Sequence, residues 1–200
     1  RKKFEMRTAF TIMTNSVSKV NGEYAIEGEE YPVEITGQPI EDFWRSYKFG
    51  LFSWWIFGGG FFKELIMHLY SYDLCFLDVY ELMIKQPKEY PKTNFFLDDV
   101  AINAKKNNMF YSRDEMSKKA KEVMDSDDPN KDMSMFDGIS GQLRFKYHLF
   151  SMCKNENKRK FVQEFVDASY VLAAEKGILD QEFKDITDEI TDLTVDIIVS

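Results

Sequence analysis

The chain has 200 residues, with 26 Lys and Arg against 34 Asp and Glu, two Cys, two His and 18 Phe among its 16% aromatic residues. That length makes one ordinary domain or two small ones, and 44% apolar with 30% charged residues excludes a disordered or collagen-like chain. Two Cys exclude a disulfide-built miniprotein and a Cys₄ zinc site, and a net charge of −8 argues against nucleic acid, whose binding rests on neutralising phosphates with Lys and Arg.

Residues 1–38 read as a small antiparallel β-meander. Phe4, Met6, Thr8, Phe10 and Ile12 alternate with Glu5, Arg7, Ala9 and Thr11, the period of a half-buried strand. Asn21-Gly22 between Val17–Val20 and Glu23–Ile26 supplies the two positive-φ positions of a type I′ hairpin turn. Tyr31, Val33 and Ile35 alternate again, predicting a third strand that ends at Gly37.

Residues 39–141 form an aromatic-rich helical region. Pro39 followed by Glu41 and Asp42 marks a helix start, since Pro suits the first turn and acids suit the positive end of the helix dipole. Phe49 to Phe62 then runs without a charge and contains Trp54, Trp55 and the triplet Gly58-Gly59-Gly60. Apolar spacing predicts one long helix from about Phe61 to Lys85. After Pro87 and Pro91, Thr93 is placed to cap a short helix carrying Leu97, Val100, Ala101 and Ala104. Ser112 with Glu115 is a capping-box pattern opening a polar helix to about Met124.

Residues 142–200 predict a C-terminal helical region, the three parts together making one composite domain. Leu143 to Leu149 alternates as a strand would, although a helix to Cys153 fits nearly as well. Lys158 to Glu175 is a helix with Phe161, Phe165, Ala168 and Leu172 on one face and Gly177 as its stop. Asp180 caps a second helix, in which Phe183, Ile186, Ile190, Leu193 and Ile197 recur as a heptad seam expected to face the core. This pair resembles the helix–loop–helix units of TerB-like and EF-hand domains without their acidic ligand pattern, so the resemblance implies no function. The fold class is therefore α+β, mainly helical, with an N-terminal meander and a C-terminal helix pair.

The motifs carry little chemistry. Asp125 to Asp132 fails the EF-hand pattern in both registers and reads as a solvated turn. Glu64 and His68, four apart on one helix face, are weak metal candidates because the di-metal motif spaces its Glu and His by three. No nucleophile elbow, complete phosphate loop or singled-out carboxylate pair occurs, and no cofactor is expected. The pattern leans away from an enzyme.

The leading expectation is a non-catalytic structural or interaction subunit of a larger assembly, whose partners are other protein subunits. Its candidate contact residues are Trp54, Trp55, Phe61 and Phe62, with Asp185, Asp188, Asp192 and Asp196 on the acidic side of the last helix. A second expectation is a membrane-associated accessory subunit anchored through residues 49–70, and a third is an acidic inhibitor presenting those four Asp to a basic cleft. The chain begins at Arg1, as a processed or partial product would. Phe4 to Met13 is too polar for a signal segment and no Asn-x-Ser/Thr acceptor occurs, which favours an intracellular or organellar location over secretion.

Overall fold

Two long strands, β1 (Arg7–Val20) and β2 (Glu23–Glu34), open the chain and pair antiparallel around Asn21 and Gly22, both at positive φ. The computed structural model describes residues 5–58, 60, 62–138 and 155–199. Among the described residues the α-helices are α1 (Ile40–Ser53), α2 (Lys63–Ser71), α3 (Phe76–Lys85), α4 (Pro91–Asn107), α5 (Arg113–Met124), α6 (Asn155–Glu175) and α7 (Gln181–Val199). The molecule is α+β and mainly helical, with an antiparallel sheet at its N-terminal end and a helix pair at its C-terminal end. The runs expected as separate strands are joined end to end, with irregularities in register between Arg7 and Thr8 and between Ile12 and Val17 absorbing the mismatch. The alternation from Leu143 to Leu149, and Cys153, lie outside the described residues.

The chain divides into two compact units, each drawing on it twice: residues 1–47 with 99–148, and residues 48–98 with 149–200. In the first, the β-ribbon is covered on both faces. Successive strand residues point to opposite sides. Ala9 and Val33 join Met109 in one cluster, with Tyr31, Ile40, Phe43 and Trp44 packed against it. Ile12 joins Phe110, Met116, Ala120 and Met135 in another, with Phe10, Val17 and Ile26 against it. Phe110 also exchanges two backbone hydrogen bonds with Phe10, at 2.7 and 2.9 Å, extending the ribbon at its β1 edge. The alternation suggested one buried face; the second is buried because Ala9 and Thr11 are small enough to lie under neighbouring elements. Helix α5 starts as expected, with Ser112 Oγ accepting from the Glu115 amide at 3.1 Å, while the Glu115 carboxylate accepts from the Tyr111 amide at 3.0 Å.

The second unit is built on aromatic rings. Phe52 lies 4.9 Å from Tyr80 and 6.2 Å from both Phe161 and Phe165, while Phe62 lies 5.4 Å from both Trp55 and Phe165. The helix expected from Phe61 to Lys85 is two helices, α2 and α3. Asp73 takes a positive φ of 56°, and the amides of Asp73 and Leu74 bond back to Tyr70 and Leu69 at 3.1 and 3.0 Å. This is a Schellman stop with Asp where Gly is usual, invisible to apolar spacing because the pattern continues across it. Gly177 makes the same stop after α6, with Ile178 bonding to Ala173 at 2.9 Å. Asp180 then caps α7, its Oδ1 accepting from the Phe183 amide at 2.8 Å.

The expected cap on α4 is different. Thr93 lies inside the first turn, and the capping group is Glu164 of α6. Its carboxylate accepts from the Lys92 amide, the Thr93 amide and the Thr93 hydroxyl, each at 2.8 Å. Three donors converge on this buried carboxylate at the positive end of the helix and stand in for the water it loses on burial.

Candidate functional site

The feature of α7 that bears on function is which side it turns inward. Along this helix the buried side chains are Phe183, Thr187, Thr191, Thr194, Val195 and Ile198. The seam expected to be buried is rotated toward solvent. Ile186 and Ile190 are half-buried, while Leu193 and Ile197 are 52% and 48% exposed. Threonine tolerates the inner side because its hydroxyl can bond to its own helix: Thr187 Oγ1 donates to the Phe183 carbonyl and Thr191 Oγ1 to the Thr187 carbonyl, both at 2.6 Å. With those hydroxyl protons spent, the β-branched methyls pack as apolar surface.

His68 of α2 completes the inner side. Its Nε2 lies 2.9 Å from Thr187 Oγ1, and its ring lies 5.1 Å from that of Phe183 and 5.2 Å from that of Tyr72. Because the Thr187 proton is directed at the Phe183 carbonyl, Nε2 carries hydrogen and donates. Glu64, its partner in the metal expectation, points elsewhere: its side chain is 62% exposed and sits 4.0 Å from Lys63 Nζ. The two groups therefore do not converge on one ion, and among the described residues no cluster of three or more His, Cys, Asp or Glu is placed to hold a metal.

Burial pushes the His68 pKa below its ordinary value of 6.5, opposed in part by a hydrogen bond with the Phe183 backbone. The unfolded chain then takes up a proton at higher pH than the folded one. His68 thus stabilises the fold above the ordinary histidine value, and that contribution is lost as pH falls through it toward the lower folded value. The expected result is a drop in thermal midpoint between about pH 7 and pH 5 that is smaller in His68→Gln, whose amide can still donate to Thr187. Parallel pH curves for the two proteins would refute it.

The remaining expected contact residues separate by environment. Trp55 and Phe62 are buried in the aromatic core of their unit, Trp54 is half-buried, and Phe61 lies outside the described residues. Among the described residues no helix is long and apolar enough to cross a membrane. Asp185, Asp188, Asp192 and Asp196 are all exposed on α7. Asp185 accepts from Gln181 Nε2 at 2.7 Å, and Asp188 accepts from the Tyr170 hydroxyl at 2.5 Å. Burial and that carboxylate together hold the Tyr170 phenol well above its usual value, so the hydroxyl remains a donor.

The outward row of Ile186, Ile190, Leu193 and Ile197 is what sequence reasoning assigned to the wrong side. A signal was present: Phe183, Thr187, Thr191, Thr194 and Ile198 repeat at spacings of 4, 4, 3 and 4, a second stripe sharing Phe183 with the first. Hydropathy favoured the stripe richer in Ile and Leu. No family model, curated protein or solved structure matches this chain.

Proposed function

We propose that the chain is a non-catalytic interaction subunit of a larger multiprotein assembly. The observation that carries this reading is the α7 row itself, in which Leu193 and Ile197 are about half exposed and Ile186 and Ile190 only half-buried, while Thr187, Thr191 and Thr194 share the inner side with Phe183, Val195 and Ile198. A helix that keeps its better hydrophobic row outside loses folding free energy, about 25 cal/mol for each Å² of apolar surface left wet. Covering the row in a complex recovers that energy as binding. Further large apolar groups, Met67, Phe95 and Ile102, are also exposed, at 60%, 72% and 65%.

The test is tagging in the native cells, gentle purification and quantitative identification of what co-purifies. Defined chains in fixed ratio to this one are the expected result. Recovery of the chain alone, at the mass of a single copy, would sink the reading.

A further inference from the structure

The α7 row carries information about what covers it, through the charge beside it. Numbered as heptads, Ile190 and Ile197 take a positions and Ile186 and Leu193 take d positions. The neighbouring g positions are Glu182, Glu189 and Asp196, all acidic and all exposed. The opposite flank holds the e positions Thr187 and Thr194, which are buried. Lys184 is the sole basic residue of the helix. The surface is thus an apolar row roughly 16 Å long with a carboxylate rail along its one open side.

We propose that this row is the docking site for an amphipathic helix of another protein, one with an apolar seam flanked by Lys or Arg. This rests on the interaction-subunit reading and names the chemistry of the partner. An α-helix fits because the outward residues follow the 3-4 spacing that interdigitates with another helix. A basic flank fits because it meets three carboxylates one heptad apart, each weak alone and stronger when apolar contact excludes water beside it. A second copy of α7 does not fit. Antiparallel pairing would set the acidic rails against each other, and parallel pairing would need the e positions, which face inward.

The probe is a synthetic peptide of about three heptads with Leu at a and d and Lys on both flanks, compared with one in which Glu replaces every Lys. Binding to the whole chain is read by fluorescence anisotropy. The Lys peptide is expected to bind at least about tenfold more tightly than the Glu peptide, and to weaken about tenfold or more between about 0.05 and about 0.5 M salt. Leu193→Glu should abolish binding, and Glu189→Lys with Asp196→Lys should reverse the peptide preference. Circular dichroism is the control for folding of both variants, and their exposed positions predict native spectra. Failure of the Lys peptide to bind, or binding that Leu193→Glu leaves unchanged, would overturn the proposal. So would sedimentation showing a dimer of the isolated chain that Leu193→Glu dissociates, since a second copy would then occupy the row. Native co-purification repeated with Leu193→Glu separates the two readings. Partners retained by that variant refute the docking site while leaving the subunit reading intact.

Discussion

Replacing Phe165 with Ala is expected to destabilise the protein by about 3–5 kcal/mol, the range for removing a fully buried aromatic ring. Phe165 has no exposed surface and lies between Phe52 at 6.2 Å and Phe62 at 5.4 Å, with Ser169 one turn further along α6 bonding its hydroxyl to the Phe165 carbonyl at 2.8 Å. Neighbouring rings are themselves wedged edge to face, so they cannot collapse into the space left behind. The variant loses both the transfer free energy of the ring and the contacts of its lining. Phe165→Leu keeps most of the volume and should cost markedly less. Chemical denaturation of the two variants provides the measurement, and equal midpoints for wild type and Phe165→Ala would show that this ring is not part of a close-packed core. Since whole domains are stable by only about 5–15 kcal/mol, a loss of this size leaves the Ala variant with little stability in reserve, and its denaturation is measured at low temperature.

The second large effect is expected at Glu164. Ala at this position leaves the amides of Lys92 and Thr93 and the Thr93 hydroxyl without their acceptors, in a place where Thr93 is fully buried. An unmet buried donor costs about 1–3 kcal/mol, and a lost N-cap alone costs about 1, so a total of about 2–4 kcal/mol is expected. Glu164→Gln should lie between, because its amide keeps one acceptor oxygen but no charge to oppose the helix dipole. Amide exchange at Lys92 and Thr93 should accelerate in both variants. An exposed pair provides the contrast: Lys85 and Glu81, 2.8 Å apart and four residues apart on α3, should change stability by no more than about 0.5 kcal/mol when Lys85 becomes Ala. Equal losses at Glu164 and Lys85 would mean that the buried carboxylate is not a structural cap.

These two sites differ in how far the amino-acid order announces them. Phe161 and Phe165 stand four apart on a stripe continued by Ala168, and helical periodicity places all three inside. Glu164 sits one residue before Phe165 and looks like any helical acid, since its partners are 71 and 72 residues away. The same contrast holds for the helix ends. Ser112, Asp180 and Gly177 act on residues a few positions off, and each does what its local pattern implies. Asp73 uses backbone conformation alone to divide a continuous apolar pattern, and local periodicity contains no sign of it.

Among the described residues the amino-acid order by itself determined that the N-terminal end is β and most of the rest helical, together with the Asn21-Gly22 turn, the C-terminal helix pair and the stripe of α6, because hydrophobic period and capping act within a few residues. It also located the acidic side of α7. Only the tertiary structure decided which stripe of that helix is inside, which carboxylate caps α4, and which stretches of chain gather into each compact unit. The physical reason is that α7 carries two stripes of helical period, and hydropathy ranks them by transfer from water. The choice between them was made by partners distant along the chain: His68 of α2 meets Thr187, and the helix's own carbonyls satisfy the threonine hydroxyls. That choice leaves Leu193 about half exposed beside Glu189 and Asp196, which turns a row read as core into a candidate docking surface.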